Sequence, residues 1–124
     1  MDNWHILIVE DENDGREIVA EILGFFGITA DLATNGQDAL DLLETNTYTA
    51  AIIDLMLPGM SGFELAHAIR MNPKTAHLPC IAVTAYHSTR IKQQALTAGF
   101  MGYHQKPLDD TGFIKELRRV VEGR

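Results

Sequence analysis

Five side chains with complementary chemistry stand at or just after the ends of segments that have the pattern of β-strands. Three are carboxylates, one is a hydroxyl and one is an ammonium group: Glu10, Asp11, Asp54, Thr84 and Lys106. Hard carboxylate oxygens suit a hard cation, and Mg²⁺ commonly takes one or two of them while keeping several waters. If the fold gathers these residues, they form a site for Mg²⁺ with a cationic side chain beside it.

The loop after the first of these segments is acidic, which argues against a nucleotide or flavin site. Its sequence is Glu10-Asp11-Glu12-Asn13-Asp14-Gly15. A phosphate-cradling loop is instead rich in glycine and presents the free N–H groups of a helix to the anion. Because the negative charge here would repel the phosphate of flavin mononucleotide, a flavin-binding module is disfavoured.

Short apolar runs alternate with longer amphipathic stretches along the chain. The runs predict strands at 6–9, 28–33, 50–53, 81–83 and 100–105, the last by its position in the pattern because its composition is poor. Helical spacing and capping residues predict helices at 13–26, from Asn35, from Ser61 to about Met71, around 91–96, and from Asp109 or Asp110. Such alternation gives an α/β fold with a parallel sheet covered on both faces. Ligands bind these sheets beyond the carboxyl ends of the strands, where the five side chains stand.

The size and charge of the chain limit what it can be. Its 124 residues fit one domain, 1–124, and its formal net charge of −7 argues against direct binding to nucleic acid. No apolar run approaches the roughly 20 residues of a membrane span, so we expect a cytoplasmic protein without membrane insertion. The single cysteine, Cys80, lies in an apolar run and is expected to be a buried strand residue, not a catalytic thiol.

The motifs and their spacing resemble one protein family over nearly the whole chain, from Trp4 to about Val121. The matching positions are Glu10-Asp11, Asp54, Thr84 and Lys106-Pro107, together with the segment 54–62, Asp-Leu-Met-Leu-Pro-Gly-Met-Ser-Gly. Each motif alone is weak, but jointly they are similar to the receiver domain of two-component response regulators. The resemblance implies a flavodoxin-like (βα)5 doubly wound parallel sheet with strand order 2-1-3-4-5.

The resemblance also implies a role for each residue of the site. Asp54 would be the phosphoacceptor, a nucleophile that attacks phosphorus to form an acyl phosphate. The ligands of Mg²⁺ would be the carboxylates of Asp11 and Asp54, the backbone carbonyl of Met56 and, mainly through a bound water, Glu10. The phosphoryl oxygens would be contacted by the Lys106 ammonium group, the Thr84 hydroxyl and the N–H group of Ala85. The Lys106–Pro107 bond would be cis.

Signal transmission would pass from Thr84 to an aromatic switch residue, Tyr103, three positions before the lysine. Thr84 would move toward the phosphoryl group and leave space into which Tyr103 rotates. The readout surface would be the fourth helix, fifth strand and fifth helix, with exposed Arg90, Lys92, Gln93, Lys115 and Arg118. The partners would be a histidine kinase or histidine phosphotransfer protein upstream and a protein target downstream.

Two other functions use similar residues and stay open at the level of the sequence. A phosphatase of the aspartyl-nucleophile type would carry a second aspartate two positions after Asp54, where this chain has Met56. A receiver-like scaffold would bind partners without being phosphorylated. We expect instead a receiver that is no enzyme beyond its own Mg²⁺-dependent phosphoryl uptake and hydrolysis. Met1 and the short tail after Val121 favour a stand-alone chain over a fragment of a longer protein.

Overall fold

Within residues 3–123, which a computed structural model describes, five strands and five helices alternate, as the pattern of apolar runs predicts. The strands are β1 (His5–Val9), β2 (Thr29–Ala33), β3 (Ala50–Asp54), β4 (Cys80–Thr84) and β5 (Gly102–Gln105). The helices are α1 (Asn13–Phe25), α2 (Gly36–Thr45), α3 (Gly62–Met71), α4 (Thr89–Thr97) and α5 (Asp110–Glu122). All strand pairs are parallel and the order is β2-β1-β3-β4-β5, which confirms the predicted topology.

Two apolar layers cover the two faces of the sheet. Successive strand residues point to opposite faces, so Leu7 and Val9 belong to one layer while Ile6 and Ile8 belong to the other. The first layer packs against α2, α3 and α4, and the second against α1 and α5. The sequences of β1, β3 and β4 are nearly unbroken aliphatic runs because helices cover these strands on both faces.

Capping residues fix where most helices begin, and the predicted caps are confirmed. The Asn35 and Asp109 side chains accept hydrogen bonds from backbone N–H groups three residues later. Ser61 and Glu64 form a capping box at the start of α3. Ser88 caps α4 in the same way. The sequence predicted this helix from its apolar residues alone, without a cap. Helix α1 ends at Phe25, one residue earlier than predicted.

The fold also bears on two expectations drawn from composition. Cys80 is fully buried in β4, as predicted, and burial raises the pKa of its thiol to about 11. Within residues 3–123, no helix is long and apolar enough to cross a bilayer.

Candidate functional site

Strand register brings the predicted site residues to one edge of the sheet. Val9 pairs with Ile53, and Asp54 pairs with Val83, so the residues that follow β1 and β3 lie side by side. On the other flank, the N–H group of Lys106 donates to the carbonyl of Thr84 at 2.8 Å. The residues predicted to carry chemistry therefore come from four neighbouring strand ends.

The three carboxylates form a compact cluster. One oxygen from each of Glu10, Asp11 and Asp54 lies within 4.8 Å of the others. Glu10 and Asp54 are only 2% and 4% exposed, whereas Asp11 is open to solvent. A set made only of carboxylate oxygens, with one of them accessible, matches the ligand preference of Mg²⁺. The structure thus brings together all three predicted carboxylate ligands.

Lys106 bridges the two buried carboxylates. Its Nζ contacts Glu10 Oε1 and lies 3.1 Å from Asp54 Oδ2. Burial lowers the pKa of Lys106, but hydrogen bonds and charge attraction from Glu10 and Asp54 outweigh it, so the pKa is raised overall. Lys106 is therefore held as a cation beside the predicted nucleophile. The peptide bond between Lys106 and Pro107 is cis, as implied by the resemblance.

The backbone around the cluster is held by local hydrogen bonds. Arg16 donates from Nη1 to the carbonyls of Glu10 and Asp11, each at 2.9 Å, which fixes the acidic loop. The N–H group of Met56 donates to Asp54 Oδ1 at 3.0 Å, so one oxygen of this carboxylate faces its own turn. Arg16 is not among the residues predicted from the sequence, where its only signal is an isolated cation directly after an acidic loop.

The predicted switch residues lie on the β4 and β5 side of the cluster. Thr84 is fully buried, and its hydroxyl oxygen accepts a hydrogen bond from the N–H group of Tyr86 at 3.0 Å. Tyr103 is half-buried against the apolar layer of α2, α3 and α4, and its hydroxyl lies 2.9 Å from Nδ1 of His87. His87, in the loop between β4 and α4, is a neighbour of Tyr103 that the sequence did not reveal.

Exposure separates the remaining predicted residues. Met56 and Ala85 are exposed at the edge of the cluster, and Ala85 and Lys106 share the wall of a groove. The five residues predicted to face solvent on α4 and α5 are all exposed: Arg90, Lys92, Gln93, Lys115 and Arg118.

Proton binding at Glu10 reflects the burial of its carboxyl beside that of Asp54. Burial, reinforced by the hydrogen bond with Asp54, raises the pKa of Glu10 from 4.5 to about 7, although Lys106 opposes the shift. The charged form of this carboxyl is thus destabilised in the folded protein without a cation.

A dependence of stability on pH follows from this shift. The folded state binds a proton at Glu10 that the unfolded state has released, so the metal-free protein should lose stability as pH rises from about 4.5 to about 7. We expect Glu10→Gln to flatten this part of the pH profile, measured by urea unfolding in a chelating buffer. A wild-type profile that rises over the same interval would contradict the assignment.

The doubly wound sheet and the acidic cluster at the carboxyl ends of its strands define a flavodoxin-like α/β protein with a candidate cation-binding site. A family model described as "Response regulator receiver domain" matches residues 6–118, and the chain belongs to this family. Its predicted fold and its resemblance to receiver domains are thereby confirmed.

Individual relatives agree with the family assignment. An uncharacterised 14.6 kDa protein of Leptolyngbya boryana is 38% identical over 117 residues, covering 94% of this chain and 86% of the relative. The chemotaxis protein CheY of Pseudomonas aeruginosa is 31% identical over 118 residues, covering 94% and 95% of the two chains. Other curated relatives are longer, and the chain spans about half the length of the response regulator MprA of Mycobacterium.

Solved structures show the same architecture. A response regulator from Chloroflexus aurantiacus superposes with a TM-score of 0.92 at 28% identity, covering 96% of this chain and 98% of that one. The receiver domain of the sensor histidine kinase PA1611 of Pseudomonas aeruginosa gives a TM-score of 0.88 at 27% identity, with the same coverage. That crystal structure has a magnesium ion coordinated in its active-site cleft.

Proposed function

We propose that this receiver accepts a phosphoryl group on Asp54, with Mg²⁺ as cofactor, and signals through contacts with other proteins. The observation that supports this proposal is the placement of Asp54: a nearly buried carboxylate at a strand end, 3.1 Å from the Lys106 ammonium group and clustered with two further carboxylates. Treatment with acetyl phosphate and Mg²⁺, followed by intact mass measurement, tests it.

The residues present fit a magnesium ion. Glu10, Asp11 and Asp54 supply hard oxygen atoms within reach of one another, and Asp11 is open to solvent. We assign the backbone carbonyl of Met56 as a further ligand. When bound, Mg²⁺ neutralises charge on the transferring phosphoryl group and on the carboxylates. The magnesium ion in the receiver domain of PA1611 supports this assignment.

Phosphoryl transfer needs mainly positioning and charge neutralisation from the protein. A carboxylate oxygen of Asp54 attacks phosphorus, the new O–P bond forms, and the bond to the donor breaks with its electron pair leaving on the donor. Lys106 orients Asp54 beforehand and then pairs with the phosphoryl oxygens. The Thr84 hydroxyl and the Ala85 N–H group donate to the same oxygens. The chain turns over no other substrate in this scheme.

Transmission of the signal uses the half-buried ring of Tyr103. When the Thr84 side chain moves to the phosphoryl group, the space that it leaves can accept this ring. In the present structure the hydroxyl of Tyr103 is held at His87, on the loop that leads from β4 to α4. A change at the site therefore alters the surface formed by α4, β5 and α5, where a downstream protein binds.

A groove beside Lys106 offers a place for the upstream partner, a histidine kinase or phosphotransfer protein. The groove has a volume of about 370 Å³ and lies between α1 and the β5–α5 connection. Its walls are apolar at Ile18, Pro107 and Leu108 and acidic at Glu12 and Asp14. A donor helix with apolar anchors and basic flanks complements these walls and can present a phosphohistidine to Asp54.

Magnesium should stabilise the folded protein. Three clustered carboxylates repel one another, and a single Lys106 compensates them only in part. We expect saturating Mg²⁺ to increase the free energy of unfolding by about 1–3 kcal/mol. In the metal-free protein, Asp54→Asn should raise Tm because it removes one of the three charges, and it should weaken the response to Mg²⁺. A wild-type Tm that does not change on addition of millimolar Mg²⁺ would contradict the proposed site.

The lifetime of the phosphoryl group should depend on Tyr86. This side chain is large, 64% exposed, and lies two residues after Thr84, beside the site. If it shields the acyl phosphate from water, Tyr86→Ala should hasten dephosphorylation, by about threefold or more. Loss of the phosphorylated mass is followed over time after removal of the donor. An unchanged or slower rate in the variant would refute the shielding role.

A further inference from the structure

Gly15 occupies a position where the backbone does not require glycine. It is the third residue of α1, and its φ lies outside the left-handed region that Gly27, Gly59, Gly99 and Gly123 adopt. Within a helix, glycine is less favourable than alanine by about 1 kcal/mol. The sequence therefore accepts a local cost at this position, and the surroundings of Gly15 show what it permits.

The space that a side chain at position 15 would fill is already occupied by Glu10. An ideal Cβ at Gly15 would lie 2.5 Å from Oε1 of Glu10, 2.8 Å from its Cδ and 3.0 Å from its Cγ. These three nearest neighbours all belong to a single side chain. Gly24, near the other end of the same helix, provides the contrast, because its Cβ would meet no atom within 4 Å.

The contacts of the Glu10 carboxyl depend on its position beside Gly15. From beneath the first turn of α1 it contacts Lys106 through Oε1, and its Oε2 accepts a weak hydrogen bond from the Glu12 N–H group at 3.4 Å. In the same position it completes the carboxylate cluster with Asp11 and Asp54. Moving this carboxyl would change both the pairing of Lys106 and the set of oxygens available to a cation.

We propose that Gly15 is a positioning residue for Glu10: the missing side chain leaves the space in which the Glu10 carboxyl meets Lys106 and the other carboxylates. A methyl group at position 15 displaces the far end of a flexible side chain and not backbone. Moving the Glu10 side chain therefore relieves the clash, so the change acts on the site and leaves the helix backbone in place. The consequence for cation binding rests on the proposed function, whereas the placement of Glu10 does not.

The first test measures the placement of Glu10 in the metal-free protein. Nuclear Overhauser contacts between the side-chain methylene protons of Glu10 and those of Lys106 should be present in wild type and in Gly24→Ala, and lost in Gly15→Ala. Circular dichroism and thermal melting establish that each variant is folded. Persistence of the contact in folded Gly15→Ala would overturn the proposal, whether or not the protein binds Mg²⁺.

The second test is a double-mutant cycle read out by calorimetric titration with MgCl₂, without any phosphodonor. Gly15→Ala should weaken Mg²⁺ binding by about tenfold, while Gly24→Ala should leave it unchanged. Glu10→Asp retracts the carboxyl by one methylene, so adding Gly15→Ala to that background should change the affinity by less than about twofold. Equal weakening in both backgrounds would mean that the effect does not pass through Glu10 and would overturn the proposal. Absence of Mg²⁺ binding by wild type would instead refute the proposed cofactor, and the test of placement above would still decide on Gly15.

Discussion

Acetyl phosphate and Mg²⁺ are expected to add one phosphoryl group to the wild-type chain and none to Asp54→Asn. The amide has no anionic oxygen with which to attack phosphorus. Among residues 3–123, the one other carboxylate that combines burial, contact with Lys106 and membership of the acidic cluster is Glu10. Glu10 has a raised pKa and is a poorer nucleophile in its protonated form. Intact mass measurement reports the adduct, and peptide mapping places it.

The controls for this experiment separate the proposed function from its alternatives. Asp41→Asn removes an exposed carboxylate on α2 that does not belong to the acidic cluster, so this variant should be labelled like wild type. Removal of Mg²⁺ with a chelator should reduce labelling strongly, because the carboxylates then repel the incoming phosphate. An adduct that persists in Asp54→Asn would place the acceptor elsewhere. Wild type that stays unlabelled with Mg²⁺ would favour the unphosphorylated scaffold, and steady release of phosphate from small phosphoesters would favour a phosphatase.

The fold was predictable from the sequence because its strongest signals are local. The doubly covered strands β1, β3 and β4 are nearly unbroken aliphatic runs, and the capping residues mark the starts of α2, α3 and α5. Strand β5 is the exception, since only Gly102 of its four residues is buried. Its existence followed from the alternation of elements and not from its own composition.

The site was predictable in membership but not in its contacts. Parallel topology requires that residues at the ends of β1, β3, β4 and β5 meet, so the chemical types at those positions were informative. The bridge from Lys106 to Glu10 joins residues 96 positions apart, and nothing in the local sequence specifies it. The partners Arg16 and His87 were missed for the same reason, because each acts through a geometry that only the packed loops create.

A single methyl group added at Gly62 is expected to lower the stability of the fold and also to shift the nucleophile Asp54. Gly62 is the first residue of α3, and its N–H group donates to the carbonyl of Leu55 at 3.1 Å. An ideal Cβ there would lie 2.5 Å from the carbonyl oxygen of Asp54 and 2.7 Å from Cα of Leu55. Both obstacles are backbone, so no rotation of a side chain relieves the clash. Gly62→Ala should lower the free energy of unfolding by about 2–3 kcal/mol, measured by urea denaturation.

Gly24→Ala is the matched control because it makes the same chemical change within a helix but into open space. It should stabilise the chain by up to about 1 kcal/mol, since alanine is the better helix former. The two substitutions thus have opposite predicted signs, and equal stabilities of the variants would contradict the steric argument. In the fraction of Gly62→Ala that remains folded, the strain must be absorbed by moving α3 or the Asp54–Leu55 backbone. Because phosphoryl transfer depends on the position of Asp54 relative to Lys106, the labelling rate of this folded fraction should fall as well.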